Sequence, residues 1–300
     1  MGGMNRRTLL GLLAALPVTS AEAGTLSLDL HGATATVDVG GLDGPVLTLV
    51  RAWIAKSADA VVTYYGKFPV PAVAITLEPV DGEAVSGGRT EPGVIPHIDI
   101  HLGRNATEAA LLHDDWVLVH EMIHLAFPWL NMEHNWMAEG IAVYVEAVAR
   151  VQAGHLPAAR IWSDFAKSMP KGLPKGGDGG LDQTPSWGMT YWGGCMFCLM
   201  ADIRIRQETG NRSGLQQALR AINASRDFRR LWDFRETLEL GDRATGRHVL
   251  IAMYDEMRDK PVKPDLDGLW RQLGVVRAGA TLSFDDSAPL AAIRQAITGV

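Results

Sequence analysis

His120-Glu121-Met122-Ile123-His124, followed by Glu139 within Trp136-Met137-Ala138-Glu139-Gly140, decides the reading of this chain. On a helix, residues four apart lie one above the other, so His120 and His124 can offer two imidazoles to one metal ion. Glu121 sits about 100° round the same helix, within reach of a water on that ion, and is placed to act as its general base. Catalytic zinc takes three protein ligands and keeps a fourth position open. Glu139 supplies the third, because a helix beginning near Trp136 can run back past the first. The expectation is one zinc ion per chain, held by His120, His124 and Glu139.

Upstream of this motif the pattern is mixed. Alternation from Thr25 to Val39 reads as two short strands turning at His31-Gly32. Apolar residues at helical spacing fill Pro45 to Tyr65. Val70 to Val80 and Ile95 to Leu102 read as further strands, joined by the glycine-rich stretch Asp81 to Gly93. Ile98 to Leu102 is a candidate edge strand for pairing with a substrate backbone. Downstream the pattern is helical: Glu108 to Phe127, Trp136 to Val151, Ala158 to Ser168, Thr190 to Thr209, Ser213 to Asn223, Phe228 to Leu238 and Ala244 to Arg258. The class is therefore α+β, a small N-terminal mixed sheet followed by a mainly helical lobe. The division expected is residues 24–106 as a β-rich lobe and 107–300 as a helical zinc-binding lobe. Pro170 to Gly188 is rich in Gly and Pro and reads equally as a lid over the cleft or as a mobile connector.

The chain has 300 residues, 47% of them apolar and 21% charged, which suits a globular protein with a full core. A net charge of −6 without an aromatic-interleaved basic patch argues against nucleic acid as a partner. Residues 1–23 carry the marks of a signal peptide. Arg6-Arg7 form the positive region, Thr8 to Val18 a short apolar run, and Ala21-Glu22-Ala23 a small-residue cleavage site. The run is too short to span a membrane. Export to the periplasm or the medium is expected, by the general or the twin-arginine route, with no stable membrane insertion after the signal is removed. Cys195 and Cys198, three apart on an apolar helix, are better placed to pack than to bond.

The motif set resembles the gluzincin zinc metallopeptidases, most of all their glycyl-aminopeptidase and aminopeptidase N branches. The resemblance runs from Trp116 to about Ile222 and includes a second block, Tyr191-Trp192-Gly193-Gly194 leading into Asp202-Ile203-Arg204-Ile205-Arg206. It implies a thermolysin-like zincin catalytic domain and a peptide or protein substrate. It implies further that Tyr191 is the phenol that hydrogen-bonds the developing oxyanion, and that the Glu146 carboxylate orients a zinc-bound histidine by hydrogen-bonding its other ring nitrogen. The chain departs from the family in three places. The spacing from His124 to Glu139 is short, Ala126 stands where a tryptophan is usual, and no Gly-x-Met-Glu-Asn motif supplies a glutamate for a substrate's free amine. Peptide hydrolysis in general is accordingly favoured over aminopeptidase action. A non-catalytic zinc-fold binding protein and a zinc hydrolase of non-peptide substrates stand as alternatives. His134, between the ligand positions, is a substitute ligand in reserve.

Overall fold

The computed structural model describes residues 24–42, 44–225, 231–279 and 281–299. The expected signal peptide, residues 1–23, lies outside them. The chain opens with β1 (Thr25–Leu30) and β2 (Ala33–Asp38), paired antiparallel, with His31 taking a positive φ at the turn between them. Helix α1 (Gly44–Tyr65) then leads to β3 (Ala72–Val80), β4 (Val85–Glu91) and β5 (His97–Gly103). The sheet order is β1-β2-β3-β5-β4. β2, β3 and β5 run parallel, while β1 and β4 are antiparallel to their neighbours and form the two edges.

Alternation along the strands turns Val37, Ile75, Leu77, Ile98 and Ile100 into one buried face, and α1 supplies Val50, Trp53, Ile54 and Val61 to the same core. Two sequence expectations are corrected here. The glycine-rich stretch contains a strand, β4, and β5 is interior, so the sheet edge nearest the helices belongs to β4. Glycine weakens the strand signal, and β4 shows no clean apolar alternation to offset that.

The expected helix from Glu108 to Phe127 is two pieces. A π-helical turn covers Ala109–Asp114, the backbone extends at Asp115, and α2 (Val117–His124) follows. Asp115 explains the break. Its carboxylate accepts from Val117 N at 3.1 Å and Leu118 N at 3.3 Å, capping α2, and also from Trp53 Nε1 at 2.8 Å. The metal-motif helix is thus pinned at its start to α1. After a compact 3₁₀ turn at Met132–His134 comes α3 (Asn135–Gln152), then α4 (Ala158–Ser168) as expected.

A second π-helical turn, Gly188–Gly193, feeds α5 (Gly194–Thr209), followed by α6 (Leu215–Ser225). The next two helices are displaced from the spans read in the sequence. α7 (Phe234–Thr245) starts where Asp233 accepts from Glu236 N and stops at left-handed Gly246, and α8 (Val249–Met257) follows. The C-terminal α9 (Leu266–Leu273), the hairpin β6 (Val275–Ala278) and β7 (Thr281–Phe284), and α10 (Ala291–Thr298) had no counterpart in the sequence reading. Among the described residues no helix is long and apolar enough to cross a membrane. Cys195 and Cys198 are free and buried.

One close approach sets the geometry of the site. A Cβ on Gly194 would run into the Trp136 carbonyl, and one on Gly140 into the Gly194 backbone. Helices α3 and α5 therefore touch backbone to backbone, which only glycine permits. This contact holds the turn carrying Tyr191 against the helix carrying Glu139.

Candidate active site

Helices α2 and α3 bring His120, His124 and Glu139 together. Glu139 Oε2 lies 3.1 Å from His120 Nε2 and 3.6 Å from His124 Nε2, and one ligand atom from each residue falls within 4.8 Å of the others. Donors around a tetrahedral zinc with bonds near 2.05 Å sit about 3.3 Å apart, so this spacing matches the ion's need. Two imidazole nitrogens and one carboxylate oxygen are also the donor chemistry zinc takes in catalytic sites. Burial opposes ionisation of Glu139, yet hydrogen bonds and charge from both histidines outweigh it and hold its carboxyl down to about 2. Burial likewise opposes protonation of His124, and Glu139 more than offsets it, raising the imidazole above its ordinary value. The three groups thus form a charge-assisted cluster.

Glu121 is buried on α2 and is held by a residue the sequence did not flag. Thr90 on edge strand β4 donates its hydroxyl toward Glu121 Oε2 at 2.7 Å and lies 2.9 Å from the Glu121 carbonyl oxygen. Two residues earlier, and so on the same face of the strand, Gly88 leaves the space the glutamate side chain needs. A Cβ there would approach Glu121 Cγ to 2.9 Å and Ile100 Cδ1 to 2.7 Å. The Gly-x-Thr spacing is the signal that could have found this contact, given knowledge that the stretch is a strand.

Tyr191 sits in the second π-helical turn with its ring stacked on His120, centroids 6.4 Å apart. Burial, then the nearby Glu139 and Glu121 carboxylates, push its phenol above the ordinary value, which keeps it a neutral hydrogen-bond donor. Trp116 meets His120 from another side, edge to face at 5.6 Å.

Glu146 is where the structure departs from expectation. Its carboxylate accepts from Arg150 Nη1 at 2.6 Å, and His120 Nδ1 is buried with no hydrogen-bond partner among the described residues. Glu146 therefore does not orient His120. Seven residues beyond Glu139 on α3 it stands about 10 Å further along the helix axis, at 1.5 Å per residue, next to the arginine one turn on. Burial pushes its carboxyl up to about 7, with Arg150 opposing and Asp115 and Asp164 adding to the rise.

His134 is no ligand either. Its Nδ1 pairs with Asp182 at 3.1 Å, and its ring stacks on Phe234 with centroids 4.3 Å apart. Asp182 also accepts from Trp136 Nε1 at 2.8 Å and Tyr254 OH at 2.7 Å. Those bonds, with Leu181 N and Asp182 N donating to the Met257 and Arg258 carbonyls, tie down the middle of the Pro170 to Gly188 segment. Its composition suggested a lid or a mobile connector, yet Asp182 anchors it to the start of α3 and the end of α8.

No family model matches the chain and no curated protein matches it in sequence. Solved structures do match. An M1 zinc metallopeptidase from Deinococcus radiodurans superposes at TM-score 0.51 with 13% identity, over 81% of this chain and 52% of that one. A variant of the M1 zinc metallopeptidase from the same organism, bound to a Tyr-Ser-Ala substrate, gives 0.51 with 15% identity, over 81% and 53%. An aminopeptidase N family protein from Idiomarina loihiensis gives 0.52 with 12% identity, over 90% and 48%. The chain spans about half the length of these proteins, and identities this low speak for the fold alone. The mixed sheet, the helical lobe and these superpositions together give the chain a gluzincin aminopeptidase-like fold.

Proposed function

We propose that this protein is a zinc-dependent peptidase that cuts peptide bonds without requiring a free amino terminus at the cut. The observation that carries the reading is the convergence of His120 Nε2, His124 Nε2 and Glu139 Oε2 beside a buried Glu121 whose carboxylate Thr90 holds in place. His120, His124 and Glu139 would hold the ion. A zinc bound there supplies Lewis acidity, polarising the substrate carbonyl and making water a better nucleophile near neutral pH. Glu121 takes the proton from the attacking water and returns it to the leaving amine. Tyr191, kept neutral, donates to the oxygen on which negative charge develops. The free edge of β4 pairs with the extended substrate backbone, leaving the general base directly beneath the paired chain.

Exopeptidase action needs a carboxylate facing the substrate's ammonium, because a buried cation must be paired. The carboxylate on β4 is Glu91, which alternates to the opposite face from Thr90 and pairs with Arg89 at 2.9 Å. This supports internal cleavage over aminopeptidase action. Export is part of the same proposal, resting on the charged, apolar and small-residue order of residues 1–23.

A peptide library in free and N-acetylated forms, incubated with zinc-loaded protein and read by mass spectrometry, tests the reading. Internal cuts in both sets are expected. Cleavage confined to the first residue of free-amine peptides overturns the endopeptidase reading, and no cleavage of either set overturns the peptidase reading.

A further inference from the structure

Beside the three-residue cluster lies a cavity of about 380 Å³ that no part of the zinc chemistry uses. Trp116 and Tyr191 line it and also lie against His120, so it adjoins the His120 side of the cluster. Its α3 wall runs from Val143 to Arg150, about 10 Å along the helix axis at 1.5 Å per residue. Trp187, Trp192 and Phe165 complete its apolar walls. Trp116 and Trp187 are 49% and 61% exposed, unusual for indoles unless something covers them.

The charges decide what fits. Glu146 and Arg150, each more than nine-tenths buried at the inner end, neutralise one another. Arg160 and Asp164 do the same at 3.0 Å. At the rim Lys171 holds its ammonium over the Trp187 and Trp192 rings, at 5.9 Å and 5.8 Å. A guest carrying charge to the inner end would therefore meet only groups already paired there, the remaining charged lining residues, Asp114, Lys167 and Lys171, being exposed to solvent. A flat apolar guest meets three indoles and a phenyl ring. Arg150 engages Glu146 through Oε1, which leaves Oε2 to accept from a neutral donor at the guest's tip.

We infer that this cavity is the specificity pocket of the proposed peptidase and takes a large aromatic side chain of the substrate, tyrosine or tryptophan ahead of phenylalanine. The inference rests on the peptidase reading for its place in catalysis, and binding alone tests it. Ligand-observed NMR titrations of the zinc-loaded protein with N-acetyl-tyrosinamide, N-acetyl-lysinamide and N-acetyl-alaninamide compare side chains without calling for turnover. The tyrosine amide is expected to bind about ten-fold tighter than the alanine amide or better, the worth of burying one aromatic ring. Filling the cavity from its α3 wall with Ala147→Trp should erase that difference, and Trp187→Ala, at an exposed site that puts no strain on folding, should shrink it several-fold. Equal binding of the three amides, a preference for lysine, or a tyrosine preference that survives both substitutions overturns the pocket assignment. A protein that binds the tyrosine amide but cleaves no peptide keeps the pocket and loses the peptidase. One that cleaves peptides with no aromatic preference does the reverse.

Discussion

Among the described residues two groups of histidines and carboxylates have ligand atoms within 4.8 Å of one another, and they differ in burial and in the charges already beside them. His120, His124 and Glu139 stand on two buried helices whose backbones are fixed by the Asp115 cap and the contact of Gly140 with Gly194. Glu91, His97 and Asp99 stand on the outer face of β4 and β5, where Arg89 already sits against both carboxylates, at 2.9 Å and 3.6 Å. His97 is further engaged by Thr76 at 2.8 Å. A cation entering the second group must displace a guanidinium and compete with water. In the first group no lysine or arginine among the described residues pairs with Glu139, which is met by the two imidazoles. Proximity of ligand types is therefore a weak criterion, whereas burial on rigid elements without a resident cation is a strong one.

The comparison breaks most directly at its stronger member. Replacing His120 and His124 together by alanine should abolish stoichiometric zinc and all hydrolysis, read by metal analysis and peptide turnover. Zinc retained at one per chain in that variant would show that the ion binds elsewhere. Glu121→Gln keeps shape and removes basicity, so zinc content should hold while kcat falls by about 10²- to 10⁴-fold, the usual worth of a general base. Wild-type turnover in this variant would refute the base and leave a binding site.

Smaller effects sharpen the picture. Thr90→Val leaves the Glu121 carboxylate without its hydroxyl donor and should lower kcat about 10- to 100-fold, since a hydrogen bond to a charged group contributes roughly 1.5–3 kcal/mol. Zinc content and KM should stay near wild type, and a change confined to KM would mean that Thr90 contacts substrate rather than the base. The smallest effect belongs to the weaker cluster. His97→Ala should change neither zinc stoichiometry nor turnover, and loss of a metal equivalent on that substitution would promote the outer face to a second site.

A fifth expectation concerns pH. The Glu146 carboxyl is raised from 4.5 to about 7 in the folded protein, chiefly by burial. The folded state then binds more protons than the unfolded one between those values, so stability should fall as pH rises through that window. Denaturant midpoints at pH 5 and pH 7 check this, and Glu146→Gln should flatten the slope.

The helices were legible where their cause is local. His120 and His124 are one turn apart, and α3 and α4 follow from apolar spacing, so neither needs a distant partner. β4 was not legible, because Gly87 and Gly88 mark a loop until something is known to press on them. What presses is Glu121, thirty-three residues from Gly88, and no local pattern carries that information. The break at Asp115 was hidden for the same reason, since the carboxylate also serves Trp53 on α1. Glu146 shows the reverse error. Its position on the helix could be read from the sequence, but its partner could not, and Arg150 one turn on captured it.

Short periods along the chain carried the helical spacing of His120, Glu121 and His124, the candidate ligand Glu139 and the order of sheet before helices. Tertiary structure alone decided that Thr90 holds Glu121, that Asp182 anchors the Gly- and Pro-rich segment, and that three indoles wall a cavity beside His120. These depend on contacts between residues far apart in the chain. Such contacts form only after the core is packed, and packing is a property of shape and volume that no periodicity encodes.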